Sequence, residues 1–268
     1  MKNYTLDIAV CTYGPDGIRR LSESSLPHIH GVHYIVSWQE RGDTELPPIL
    51  AARTDLTVID APGCGLSLNR NHALEHCTAE FVLIADDDVN YTADAIERAV
   101  KTIASDPQIA ISTFIVRRQN CPIYPLYPTI LGRKLPKGYW VASFEMMLRR
   151  ELCSGLRFDT RLGIGSGNME CGEELLVLLQ ARRRGLLCKF FPIEIGEHPR
   201  ITTGSRCNPG IMRAHGCLIA LEFGRFKCIP RLWLKAWRMS RSTGTSFIKN
   251  VINAHRGALS SFHFSVKK

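Results

Sequence analysis

The chain has 268 residues, 45% of them hydrophobic and 22% charged, which fits a folded protein with a sizeable core and excludes a disordered, collagen-like or coiled-coil molecule. No apolar run reaches the ~18 residues that a membrane-spanning helix needs. The formal charge of +9 is uneven: from Pro199 onward there are 13 Lys and Arg against one acid, Glu222, whereas residues 1–198 carry 21 basic and 24 acidic groups.

Met1-Lys2-Asn3 leads straight into a strand-like run, so no signal peptide or transit segment is expected. In chain order, Leu6–Cys11 reads as a strand and Asp16–Ser25 as a helix stopped before Pro27. His33–Ser37 and Leu56–Asp60 are further strands rich in β-branched residues. Ser67, a good N-cap, opens a helix to about Cys77. Phe81–Ala85 is an uninterrupted apolar strand broken by three aspartates. Thr92–Ser105 places Ile96, Val100 and Ile103 at helical spacing, and Ile109–Val116 returns to strand. Residues 120–138, rich in Pro, Tyr and Gly, read as a long loop. Then come a strand over Tyr139–Leu148, a helix over Gly172–Arg184 and a strand over Leu186–Phe191. Repeated β-α-β units with strands apolar on both faces imply an α/β fold with a mainly parallel sheet flanked by helices. After His198 the alternation stops, so a boundary falls near residue 200, followed by a polar loop and basic helices.

The ten cysteines include no C-x-x-C pair, and tetrahedral zinc sites need close-set pairs. Cys11 and Cys188 sit inside apolar runs, where a thiol acts as a small hydrophobe. The expectation is a reduced, cytoplasmic chain.

The segment FVLIADDDVNY, residues 81–91, carries the most chemistry. In open α/β sheets ligands bind beyond the carboxyl ends of strands, and Asp86, Asp87 and Asp88 stand at such an end. Three adjacent carboxylates repel one another, and a divalent cation relieves this; their hard oxygens suit Mg²⁺ or Mn²⁺. A solvated, helix-capping turn is the plainer alternative. Glu173-Glu174 opens a helix after a Gly/Ser stretch, where helix-terminus electrostatics or a proton-accepting role would each favour an acid. Glu197-His198 follows the last strand of the alternating region, and a histidine there could complete a metal site.

These motifs, in this order, resemble glycosyltransferase family 2, enzymes of GT-A fold, over roughly residues 5–200. DIAVCTYG resembles the family's first strand and its nucleotide-contacting turn, here Thr12 and Tyr13. GCGLSLNRNHAL, residues 63–74, resembles the segment preceding the aspartates, with Arg70 and Asn71 matching. Asp86–Asp88 resembles the D-x-D motif, which implies Asp86 at the nucleoside, Asp88 on the metal and Asp87 between them. Glu173-Glu174 resembles the Glu-Asp pair whose second member acts as base. His198 matches a histidine beside the diphosphate and joins Asp88 as a candidate metal holder. Two departures stand out: Ser37-Trp38-Gln39 ends the second strand where an aspartate commonly reads the base, and Glu-Glu replaces Glu-Asp.

The resemblance implies a Rossmann-like GT-A catalytic domain over 1–200, with a nucleotide-sugar half at about 1–118 and an acceptor half at about 119–200. A mobile loop and basic helical region would fill 201–268. It further implies metal-dependent, inverting transfer from a nucleoside-diphosphate sugar, with UDP favoured, to a hydroxyl of a glycan or lipid-linked acceptor in bacterial envelope polysaccharide synthesis. Arg200 or Arg206 could assist at the phosphates, and Trp140, Tyr124 and Tyr127 could stack on sugars or pack in the core. Two other classes are alternatives. A Mg²⁺-dependent nucleotidyltransferase would need a lysine-bearing phosphate loop near the first strand, and Cys11–Arg20 has no lysine. A non-enzymatic nucleic-acid or anionic-surface binder could use the basic tail, but no nucleic-acid-binding signature appears, so no specific nucleic-acid partner is expected. In RLWLKAWRM, residues 231–239, basic residues and two tryptophans at helical spacing fit either a helix on the inner membrane face or one packed on the catalytic domain.

Overall fold

The computed structural model describes residues 6–118, 127–132, 135–136, 139–198, 207–261 and 264. Tyr124, Arg200 and Arg206 lie outside these, as does most of the long loop expected over 120–138. The alternating region comprises β1 (Leu6–Tyr13), α1 (Gly14–Glu23), β2 (Val32–Gln39), α2 (Pro48–Ala51), β3 (Leu56–Ala61) and α3 (Leu66–His76). It continues with β4 (Phe81–Asp86), β5 (Asn90–Tyr91), α4 (Ala93–Ala104), β6 (Ile109–Arg118), β7 (Met146–Arg149), α5 (Glu173–Arg183) and β8 (Leu187–His198). Among the described residues three helices follow: α6 (Pro209–Phe223), α7 (Ile229–Thr243) and α8 (Phe247–Ser260).

The strands form one sheet in the order β3-β2-β1-β4-β7-β6-β8-β5. Period-two alternation supplies two cores from the same strands. Ile8, Val10, Val36, Leu83 and Ala85 pack with Ile18 and Leu21 of α1 and Ile96 and Ile103 of α4. Ala9, Cys11, Ile35, Val82 and Ile84 turn the other way, onto Ala73 of α3 and Val177, Leu178 and Ala181 of α5. Burial on both faces explains why these strands read as unbroken apolar runs.

The parallel character is confined to β3-β2-β1-β4 and to the β6–β8 pair, because β7 runs antiparallel to both β4 and β6. The strand expected over Tyr139–Leu148 is shorter than its apolar run. Ser143–Glu145 closes into a 3₁₀ turn, with the Ala142 N–H donating to the Glu145 carboxylate at 2.7 Å, so pairing begins only at Met146. Conversely, β8 runs past Phe191 to His198. Register shifts against β6 absorb Pro192, which lacks an N–H for the ladder.

Among the described residues, the basic region from Pro209 to Ser260 is mainly helical and shares a core with the α/β layers. Ile211, Ala214, Cys217 and Leu218 of α6 pack against Leu176 and Leu179 of α5. Helix α8 crosses α6 at glycines: a Cβ on Gly216 would fall 1.9 Å from the Ala254 carbonyl oxygen, and one on Gly257 1.8 Å from that of Arg213. Leu232 and Ala236 bury the inner side of α7, leaving Trp233 and Trp237 on its outer side. Among the described residues no helix is long and apolar enough to cross a membrane.

Candidate active site

A cleft of about 630 Å³ opens at the C-terminal ends of β1, β2 and β4, where the sheet edge, α3, α5 and the Trp140–Phe144 segment converge. Its lining includes Thr12, Tyr13, Arg70, Asp86, Asp87, Asp88, Glu173, Glu174 and His198. These nine come from five segments far apart in sequence, joined because the sheet delivers strand carboxyl ends to one edge.

The three aspartates have three different environments. Asp87 is buried and fully engaged: the Thr12 hydroxyl donates to it at 2.8 Å, and the Arg20 guanidinium grips both oxygens at 3.0 and 2.9 Å. Burial lifts its carboxyl above the ordinary aspartate range, and the Arg20 and Thr12 bonds oppose this. Asp87 is therefore a strut tying β1, α1 and the aspartate turn together, and its carboxylate is committed to protein partners. Asp86, at the last position of β4, accepts from Arg70 at 3.1 Å. Asp88 lies 3.2 Å from His198 Nε2, and the His198 ring stacks on Phe144.

The strut leaves no space beside Gly17, where a Cβ would sit 2.3 Å from Thr12 Oγ1 and 2.8 Å from Asp87 Oδ2. Gly17→Ala is expected to lower stability by about 1–3 kcal/mol through overpacking, read as a fall in denaturation midpoint. An unchanged midpoint would show that the strut yields freely.

Arg70 is the hub of the opposite wall. Buried in α3, it binds Glu173 with one amino group and Asp86 with the other, and lies over the Phe158 ring. Desolvation opposes its charge, but Asp86 and Glu173 outweigh that and hold the guanidinium more strongly protonated than usual. Glu174 is also buried. Desolvation first, and the neighbouring Glu173 carboxylate second, raise its proton affinity well above that of an ordinary glutamate. Arg70 Nε, Glu173 Oε2 and Asn69 Oδ1 are buried beside the cleft without a hydrogen-bond partner, an arrangement common where polar groups meet ligand or solvent.

Asn71 lies elsewhere. Both ends of its amide are taken by the Phe158 backbone, each at 2.8 Å, and it does not line the cleft, so the nucleotide-contacting role implied for it is not supported by its position. Adjacent helical residues point about 100° apart, so only one asparagine flanking Arg70 can share its wall. Asn69 occupies that position and anchors to the Thr12 carbonyl at 3.0 Å. Sequence reasoning also passed over Arg20, Phe144 and Glu170. Arg20 had a usable signal, a cation in the last turn of the helix after the first strand, but nothing local tied it to Asp87. Gln39 lines the cleft with its amide donating to the Pro62 carbonyl, and Trp140 stands at the rim, half-exposed and near His215. Tyr127 packs inside against Tyr139 and Phe190.

Residues 45–161 match the family described as Glycosyl transferase family 2. That stretch is a little under half of the chain. The matched stretch runs from before α2 through the aspartate turn and β7 to the loop leading to α5. The chain also shares its fold with solved structures. The S. aureus TarS 1–349 structure in complex with UDP aligns at TM-score 0.59 and 13% identity, covering 97% of this chain and 91% of that one. The same TarS segment in complex with UDP-GlcNAc aligns at TM-score 0.58 and 13% identity, covering 97% and 92%. A mycobacterial protein aligns at TM-score 0.51 and 16% identity, covering 89% and 75%. No curated protein sequence matches the chain significantly.

Proposed function

We propose that this protein is a family 2 glycosyltransferase that moves a sugar from a UDP-sugar to a hydroxyl of a glycan or lipid-linked acceptor in envelope polysaccharide synthesis, by inversion and with a divalent cation. The observation that carries this reading is the convergence of Asp86, Asp88, His198, Arg70 and the Glu173-Glu174 pair on one cleft. The UDP and UDP-GlcNAc complexes of the structurally similar TarS support the choice of nucleotide.

The residues present fit a cation of the Mg²⁺ or Mn²⁺ kind. Asp88 and His198 offer an oxygen and a nitrogen donor on the cleft wall, and Asp86 stands on the same turn. Among the described residues no three His, Cys, Asp or Glu side chains form a group able to hold a metal by themselves. Such cations commonly take few protein ligands and complete their shell with phosphate oxygens and water. Asp88 and His198 would hold it, and once bound it would offset the charge developing on the diphosphate.

The chain's own groups supply the rest. Tyr13 at the mouth can stack on the base, while Gln39, with its amide nitrogen already committed, can accept from a base N–H. Arg70 orients Glu173 and Asp86, so the acid pair is held against α3. Glu174, whose raised proton affinity makes it a stronger base once ionised, would take the acceptor hydroxyl's proton. Attack then comes on the face opposite the departing diphosphate.

A panel of UDP- and GDP-sugars with Mn²⁺, read by thermal shift and sugar release, tests this reading. A UDP-sugar should raise the midpoint, and chelation should abolish the effect. A shift confined to GDP-sugars would overturn the nucleotide, and shifts unaffected by chelation would overturn the metal.

A further inference from the structure

Helices α7 and α8 turn a joint surface outward that the sugar-transfer reading does not use. On α7, Trp233, Trp237 and Arg241 follow at four-residue spacing; the two indoles are 52% and 49% exposed, and Arg241 lies over the Trp237 ring. On α8, Ile248, Ile252 and Leu259 are 69%, 47% and 64% exposed and fall on one side, opposite the buried Asn250, Ala254 and Gly257. The stripes meet. Trp233 packs edge-on against Phe247 and donates its indole N–H to His255 at 3.2 Å. Two amphipathic helices thus present one apolar strip where a helix packed only to stabilise the domain would carry polar groups.

The flanks of the strip are basic. Arg231, Arg238, Arg241, Lys249 and Arg256 are exposed, and the sequence after Glu222 holds no acid. Glu222 itself faces inward, held 3.4 Å from Arg182. A second copy seated on this strip would therefore bring like charges together without a countercharge. An anionic bilayer supplies both requirements, acyl chains for the rings and aliphatics and phosphates for the flanking cations.

We propose that the α7–α8 face docks the enzyme on an anionic phospholipid membrane, with Trp233, Trp237, Ile248, Ile252 and Leu259 entering the interface and the flanking cations meeting headgroups. Docking is separate from the chemistry of the cleft, and its test reads lipid partition alone.

The full chain is mixed with phosphatidylcholine vesicles with and without phosphatidylglycerol, at low and high salt, some carrying acyl-brominated lipid. Binding should require phosphatidylglycerol, weaken with salt and leave a salt-resistant fraction whose tryptophan emission is quenched by bromine. Of the four tryptophans, Trp38 is fully buried and Trp140 lies at the cleft, so a Trp233→Ser/Trp237→Ser variant should lose that fraction and the quenching. Arg238→Gln/Arg241→Gln should lower the partition coefficient about 25-fold, about five-fold for each charge. Both variants should keep the parent melting midpoint, since the replaced side chains are exposed. Failure to bind phosphatidylglycerol vesicles would overturn the proposal. So would binding that salt removes completely without bromine quenching, which marks a merely polyanionic partner such as nucleic acid. A lipid-free dimer that dissociates on Trp233→Ser/Trp237→Ser would overturn it in favour of self-association.

Discussion

Glu174→Gln should reduce turnover about 10²–10⁴-fold, the usual scale for a lost general base, while nucleotide binding stays within error of the parent. Glutamine keeps the shape of the side chain but cannot accept the proton. The pH dependence follows from the raised proton affinity of Glu174. The active form is the ionised one, so kcat/KM should fall as pH drops, on a limb centred above the ordinary glutamate range. Glu173→Gln removes the adjacent like charge and should move that limb to lower pH. Stability has the opposite sign. A carboxyl whose folded-state proton affinity is raised is stabilising below its unfolded pKa and loses that contribution as pH rises through the folded value. Glu174→Gln should therefore melt no lower than the parent at neutral or alkaline pH, which separates lost chemistry from lost fold. Turnover that survives Glu174→Gln but collapses in Glu173→Gln would move the base by one residue. Near-parent turnover in both would remove the pair from the chemistry.

Asp88→Ala should abolish metal-dependent binding of UDP and leave the fold intact. Groups one bond beyond a metal ligand commonly contribute about 10–100-fold in affinity, and a direct ligand should contribute at least as much. Calorimetric titration of UDP with Mn²⁺ should thus give the variant the weak affinity that chelation gives the parent. The contrast with the neighbouring residue sharpens the test. Asp88 is partly exposed beside His198, whereas Asp87 is buried under the bidentate grip of Arg20. Asp87→Ala leaves that guanidinium unpaired and should melt earlier, whatever it does to binding. Unchanged Mn²⁺-dependent affinity in Asp88→Ala would defeat the metal assignment, and a loss confined to Asp87→Ala would relocate it to the strut.

Local patterning by itself determined the layered α/β plan and the place of its chemistry. Strands buried on both faces must be apolar at every position, so LDIAVC and FVLIA announce themselves, and an abrupt run of aspartates after FVLIA can only stand at a strand's carboxyl end. The acid pair was legible for a similar reason, since a helix start favours negative charge and the preceding glycines mark where that start falls. What the residues do to one another was decided by tertiary packing. Nothing within reach of Asp87 in sequence distinguishes it from Asp86 and Asp88; its partners Arg20 and Thr12 lie 67 and 75 residues away, and only the β1–β4 pairing brings them together. The two asparagines flanking Arg70 are equivalent in a one-dimensional pattern, and the helix rotation set by Ala73 in the core sends Asn69 to the cleft and Asn71 to Phe158. The antiparallel β7 was hidden because burial makes its apolar run look like any parallel strand. In the basic tail, spacing could show that a helix has two faces but not which one the protein would cover. Leu232 and Ala236 turn inward because α6 and α8 offer them an apolar partner, and that choice leaves the tryptophans outside.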